Sequence, residues 1–288
     1  MPMTKFGRNY SLTVQTPAGQ ILTIKPPFTI EIDITRNTLT SSNVCQVRLY
    51  NLSKINRDLI RFNTYNFAEF SSISLNAGYG DSLANVFAGN ISRAWSVREG
   101  VNFITQIECY DGGFALVNGT VNVSFPAGTP YVTIIGALMS SLPNVTIGAI
   151  GNFPGVLPRA NTYHGSPASL LTELTGGAFY IDGGKAYALR SNEYNAGLPI
   201  IVISDKTGLL NTPVLEETTA RIEMLFEPTL NVGVLASVVS LTYPEINNVY
   251  VITSIKHRGI ISPVVSGDLI TTAEFFYSKG LTPVAGRF

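Results

Sequence analysis

Charge is in short supply in this chain of 288 residues. Asp, Glu, Lys and Arg make up 13%, about half the share of an ordinary globular protein. Nineteen basic and nineteen acidic residues cancel. That balance excludes a strong overall field for nucleic acid or lipid, while leaving room for a local patch or a charged channel wall. Few charges leave much surface uncharged, as in a chain that buries surface in an assembly, or in an extracellular β-protein. Cysteine is nearly missing: Cys45 and Cys109 stand alone. Without CxxC or a Cys/His cluster, a structural zinc site has no support. Both cysteines fall in strand-like runs among apolar neighbours, so they read as small buried thiols. The opening residues, MPMTKFGRNYSLTV, lack the apolar centre of a signal peptide. No run reaches eighteen apolar residues, so no spanning helix is expected and no membrane binding. The expectation is a protein made in the cytoplasm that stays soluble there or leaves by a route that needs no signal.

What the chain has is apolar residues, at 45%, arranged mostly with a period of two. The sequence predicts a mainly β protein with a small α/β insert, in three units over 1–115, 116–199 and 200–288. In the first, YSLTVQTPAGQILTI makes a hairpin around Pro17-Ala18-Gly19. FTIEIDI points Phe28, Ile30, Ile32 and Ile34 inward against Thr29, Glu31 and Asp33. VCQVRLY places Cys45, Val47 and Leu49 on one face, and Ser53 then caps a short helix carrying Ile55, Leu59 and Ile60. Further strands, SSISLNAGY and NVFAGNISRAWSV, are broken by Gly78, Gly80 and Gly89, and NFITQIECYDG closes the unit. About seven turn-separated strands suggest a sandwich or barrel.

The middle unit holds two helices, in TPYVTIIGALMSSL and SPASLLTELTG, and a hairpin turning at Asp182-Gly183-Gly184. After residue 200 the strands return in TARIEMLFEP, ASVVSLTY, NNVYVITSIKHRG and LITTAEFFYSK.

Residues with catalytic potential do not assemble into a motif. His164 lies in a predicted loop and His257 at a predicted strand end, far apart and without a Ser or Cys partner motif. Gly-x-Ser-x-Gly is absent, and GYGDSLANVFAG lacks the Lys-Ser/Thr of a phosphate loop. Adjacent Glu216 and Glu217 point to opposite faces of a strand. Asp111 and Asp182 each precede glycine, which reads as turn chemistry. Arg93, Trp95 and Arg98 form the best basic-aromatic group. No catalytic residue, cofactor or metal site is predicted.

The ordered series FTIEIDITRN, SSNVCQVRLYNLSKINRDLI, ISLNAGYGD, NVFAGNISRAW and IECYDG resembles the first domain of bacteriophage tail hub proteins. The positions that carry the resemblance are Asn43, Tyr50, Asn51, Leu52, Ser53, Gly78, Tyr79, Phe87, Gly89, Ile91, Asp111 and Gly112. Farther on, Gly165, Leu170, Leu171 and Leu174 are similar to the family's second unit. Gly208, Leu209, Pro213, Pro228, Leu230 and Gly233 are similar to its last unit, where His257-Arg258-Gly259 resembles a His-x-Gly turn. The middle unit is shorter than the family's, and no fused lysozyme or spike segment is seen.

The resemblance implies two tail-tube-like β-barrel domains flanking a mixed α/β domain. It implies a structural virion protein and not an enzyme: a homotrimeric hub of the tail baseplate, assembled in the host cytoplasm, preferentially of a contractile tail, although hubs of non-contractile tails and of phage-like injection machines share the fold. Six barrels on three chains would join the six-fold tail tube to the three-fold spike or cell-puncturing protein. Baseplate wedge proteins and a tape-measure protein are the other implied partners, with DNA only in transit through the lumen. Polar strand faces such as Thr29, Glu31 and Asp33 are candidates for that lumen. Two rivals remain at this point: a carbohydrate-binding β-module with an exposed aromatic platform, and a tail-tip peptidoglycan hydrolase with a paired acid and nucleophile.

Overall fold

The computed structural model describes residues 5–39, 42–61, 70–277 and 280–286. The first part contributes β1 (Arg8–Gln15), β2 (Ile21–Ile24), β3 (Ile30–Asn37), β4 (Val44–Tyr50), helix α1 (Lys54–Ile60), β5 (Ser72–Tyr79), β6 (Ser82–Glu99) and β7 (Asn102–Tyr110). The middle holds α2 (Gly113–Asn118), β8 (Val121–Phe125), α3 (Tyr131–Ser140), β9 (Thr146–Ile150), β10 (Asn161–Gly165), α4 (Pro167–Thr175), β11 (Phe179–Asp182) and β12 (Lys185–Ala188). The last part supplies β13 (Glu193–Asn195), β14 (Ile201–Ser204), β15 (Val214–Glu216), β16 (Thr219–Leu225), β17 (Leu235–Val239), β18 (Asn248–Ile261), β19 (Leu269–Phe276) and β20 (Thr282–Val284).

One large sheet joins the two ends of the chain. Its order is β15-β16-β19-β18-β3-β4-β7-β6-β5-β1-β2, with β14 and β17 branching from β18. Strand β18 is the shared member. Residues 248–251 pair with β17, residues 254–261 pair with β3, and β19 runs along the other side. A register shift between Ile252 and Ser254 marks the change of partner, as expected where a strand bends from one layer into another.

Alternation decides which side is buried. Strand β3 alternates buried and half-buried along its whole length, with Ile30, Ile32 and Ile34 inward. The same period puts Cys45, Val47 and Leu49 inside on β4. These residues pack with Leu12, Leu75, Phe87 and Ile91 into one core, which also takes Phe226, Ile261 and Leu269 from the last part of the chain. A second core lies among β16, β17, β19 and the first half of β18, and a third holds α3, α4 and the β11–β12 hairpin. Cys45 and Cys109 face each other directly across β4 and β7, fully buried and as free thiols.

Four expectations need correction. Among the described residues no barrel closes: the hydrogen-bonded path ends at β15 and β2. Strand β1 approaches β18 through side chains instead, with Arg8 donating to the carbonyls of Ile260 and Gly267. The glycines at 78 and 89 do not break strands. Strand β6 runs through Gly89, where an added Cβ would strike the backbone carbonyl of Tyr110, so the residue is glycine for close approach and not for a turn. Helix α1 buries Ile60 but leaves Ile55 80% exposed, because a seven-residue helix on a sheet flank covers only one narrow stripe. His164 belongs to β10, paired with Asn122, and not to a loop.

Candidate functional site

The polar centre of the molecule begins with the inward alternation of β3. After Ile30, Ile32 and Ile34, the next inward residue is Arg36, which is 5% exposed. A buried charge must be paired and hydrogen-bonded. The guanidinium forms a fork on Asp182, with Nε to Oδ1 at 2.8 Å and Nη2 to Oδ2 at 2.6 Å. Its other donors reach the Leu230 carbonyl at 3.1 Å and Asn231 Oδ1 at 2.8 Å. Asp182 also accepts from Asn43 Nδ2 at 2.8 Å, and the same amide nitrogen donates to the Ile181 carbonyl. Asn43 Oδ1 accepts from the Asn37 N–H.

Asp111, just after β7, completes the cluster. Its two oxygens accept the N–H groups of Gly183 and Gly184 at 2.6 and 3.1 Å. Gly112 follows with φ 65°, opening α2, and its α-carbon lies against Ile181, where a Cβ would collide. The hairpin turn at 182–184 is thus seated on the first part of the chain by one carboxylate on each side. The loop at 230–231 is tied to the same guanidinium.

Electrostatics follow from two carboxylates and one guanidinium in a dry place. Burial works against the Arg36 charge, but Asp182 more than offsets it, and the pKa rises above its ordinary value. Asp111 is pushed up to about 7 by burial and then by the charge of Asp182, against the pull of the two glycine N–H groups and Arg36.

His257 lies near this cluster, closed off from solvent. It sits inside β18, opposite Ile34 and Thr271, and is fully buried. Nδ1 bonds Thr271 Oγ1 at 2.9 Å, and Phe226 meets the ring edge-on with centroids 5.2 Å apart. Burial, then the Arg36 charge, pushes its pKa down to about 3. The predicted His-x-Gly turn is corrected here: residues 257–259 are strand, pairing with Ile34, Asp33 and Ile32. Gly259 is required because its φ of 145° brings it against the Asp268 carbonyl.

The outer side of the same sheet is a polar concave face enclosing about 900 Å³. Glu31 and Asp33 from β3, Arg48 from β4, Trp95 from β6, Arg221 and Glu223 from β16, and Lys256 and Arg258 from β18 line it. Opposite charges are paired across strands: Arg48 to Glu31 at 3.1 Å and Lys256 to Asp33 at 3.2 Å. Tyr50 Oη donates to Glu31 at 2.6 Å. Such half-exposed pairs add little stability, about 0–1 kcal/mol each. They leave a wall of mixed sign without a strong net field.

A family model described as baseplate hub gp41 matches residues 10–259. The chain belongs to this baseplate hub family. No curated protein matches it in sequence. Among solved structures, the hub chain is similar to the 43 kDa tail protein of prophage MuSo2 from Shewanella oneidensis, with TM-score 0.61, 11% identity, and 92% of this chain and 96% of that one covered. It is similar to a tail protein from Neisseria meningitidis MC58, with TM-score 0.62, 10% identity, and 96% and 98% covered. It is also similar to an Escherichia coli type VI secretion component described as resembling T4 bacteriophage tail proteins gp27 and gp5 (TM-score 0.57, 10% identity, 92% and 77% covered). At these identities the likeness is one of fold. Together with the family it makes the chain a structural protein of the phage tail baseplate, mainly β, built on a large antiparallel sheet.

Besides His257 and Gly259 on β18, the residues singled out in the sequence of this hub chain fall into three places. Asn43, Asp111 and Gly112 meet in the buried junction. Tyr50, Asn51, Leu52 and Ser53 shape the step from β4 to α1. Asn51 takes a left-handed φ of 57° and bonds Phe103 through both backbone and side chain. Leu52 is buried, and Ser53 Oγ accepts the Asn56 N–H at 3.3 Å. Gly78, Tyr79, Phe87 and Gly89 belong to the β5–β6 pair. There Tyr79 Oη donates to the Phe226 carbonyl at 3.0 Å, and burial pushes its pKa up to about 12. Sequence reasoning missed Arg36 and Asn231, and it took Asp182 only as a turn residue. A signal for Arg36 existed, since it occupies the fourth inward position of a strict alternation.

Proposed function

We propose that this baseplate hub protein works as a homotrimer that joins the six-fold tail tube to a three-fold spike or cell-puncturing protein, with its concave face lining part of the DNA-ejection channel. The observation that carries the reading is the single sheet in which β18 joins the two β regions, so that both present one continuous polar face. Two similar tube-like β units per chain, over 1–115 and 200–288, would let three chains imitate six-fold symmetry. The α/β unit over 116–199 would sit outside them. A wall of paired, mixed charge suits a passage that must not hold DNA or a tape-measure protein in transit. In this reading the chain acts without a cofactor and without catalysis, and baseplate wedge proteins contact its outer side.

Gold-labelled antibody against the chain tests the placement on intact virions. Label at the tail end distal to the head is expected; label on the head or along the tail shaft contradicts the proposal. Zymography on cell wall tests the non-enzymatic part, since a cleared zone would show hydrolysis.

A further inference from the structure

The turn at residues 182–184 has no part in the channel reading, and its seat is built from like charges. Asp182 begins the turn and takes the fork of Arg36. Asp111 reaches across from the end of β7, and its two oxygens accept the Gly183 and Gly184 N–H groups. The Gly184 carbonyl in turn accepts the Thr146 N–H at the start of β9. The seat therefore carries the β11–β12 hairpin and, through β9, the small sheet of the α/β unit.

One guanidinium serves two buried carboxylates. Asp111 is 2% exposed and Asp182 8%. Strand β3 contributes Arg36, and the hairpin contributes Lys185 and Tyr187. Burial, then Asp182, pushes the Tyr187 hydroxyl up to about 12, so it stays neutral. Lys185 is exposed to water. The stretch of β6 at 85–88, helix α2 and the loop at 230–231 bring no ionisable side chain. A cavity of about 200 Å³ lies along the cluster, with exposed Asn85 and Lys185 in its lining. Its polar lining and its size admit water as the turn moves.

We propose that this seat is a proton-operated latch: with one proton on the Asp111–Asp182 pair the turn is seated and the α/β unit is fixed to the large sheet, and loss of that proton lifts the turn. Two carboxylates then share one guanidinium in a closed space, which disfavours the doubly ionised pair. Gly183 and Gly184 exchange Asp111 for water, and Asp111 is hydrated through the cavity. The sign follows from Asp111, whose folded value of about 7 stands above the ordinary 3.8. Its hold is complete below 3.8 and is lost as pH rises through 7. The latch is shut in acid and loose in neutral and alkaline solution. His257, which feels the Arg36 charge, works in the opposite sense with a folded value of about 3.

Hydrogen exchange on the full chain tests the latch at Gly183 and Gly184, read as protection factors so that the intrinsic rate drops out. Their protection is expected to fall roughly tenfold or more between about pH 5 and pH 8, while core amides of β4 such as Val47 keep theirs. Asp111→Asn puts a permanently neutral group at the seat and should hold the protection level over the same range. A second readout needs no variant. In infrared spectra of the wild type, one carboxylic-acid carbonyl band should remain at about pH 6, where ordinary Asp and Glu are ionised, and fade by about pH 8. Glycine protection that stays level in the wild type, or falls equally in Asp111→Asn, overturns the latch. So does absence of the band, or a band that titrates while the protection does not change. Glycine and β4 amides losing protection together would show unfolding of the whole chain and overturn it as well.

Discussion

The aliphatic core of the first seven strands and the polar junction around Arg36 hold the chain by opposite means. The core spreads its contribution over many side chains, each worth a few kcal/mol at most, and alternation alone positions them. The junction concentrates everything on one guanidinium and two carboxylates drawn from residues 36, 111 and 182. A buried ion pair adds little net stability over an apolar filling, yet breaking it by removing one partner is costly. The core therefore resists damage gradually, while the junction sets the seat of the β11–β12 hairpin and fails sharply.

The largest effect should come from ending the chain after Asp268. Strand β19 lies between β16 and β18, and its Leu269, Ala273 and Phe275 serve two cores. Expression should then give no soluble folded protein; a product with a cooperative unfolding transition would refute the role given to β19. Next, Asp182→Ala strands Arg36 in the interior and should cost about 3–5 kcal/mol in denaturant unfolding. Arg36→Met with Asp182→Leu should recover most of that loss. A double variant as weak as the single one would mean that the pair is not the critical contact. Phe87→Ala, in the core, should cost about 3–5 kcal/mol by leaving a cavity, and near-normal stability would place Phe87 outside the packed centre.

The pH dependence sharpens the comparison, because the two regions titrate in opposite directions. His257 binds its proton more weakly folded than unfolded, with a folded pKa of about 3. Its contribution is present above the unfolded value near 6.5 and is lost as pH falls toward 3. Asp111 binds its proton more tightly folded, with a folded pKa of about 7 against an ordinary 3.8. Its contribution is present below 3.8 and is lost as pH rises through 7. Between pH 4.5 and 6 the slopes oppose, each at roughly 1.4 kcal/mol per pH unit. Asp111→Asn should uncover the histidine slope, with stability falling as pH falls. Unfolding curves for wild type and variant that stay parallel across this window would remove Asp111 from the account. The smallest effect belongs to Ser53→Ala, about 0.5–2 kcal/mol for a lost helix cap. The 3.3 Å bond to Asn56 N–H favours the low end, read from a thermal melt.

Much of this was legible in the residues, for a physical reason. Strands with one buried face write a period of two into the chain, so Ile30, Val47 and their neighbours declared themselves. The hairpin at 182–184 and the cap at Ser53 are local chemistry and were equally plain. What stayed hidden depends on distance along the chain. Arg36 and Asp182 are 146 positions apart, and only the folded sheet brings them together. The open path of the sheet was unreadable for the same reason, since alternation fixes faces and not partners. Gly89 looked like a break because glycine usually punctuates, whereas here it admits the Tyr110 carbonyl.

The central claim is that this hub chain forms a three-fold ring. Negative-stain microscopy of the purified chain, with light scattering on the same sample, tests it most directly. The account predicts a six-lobed ring with a central hole and the mass of three chains. Particles of single-chain mass without a hole, at every concentration and in the presence of the tube and spike proteins, would contradict it.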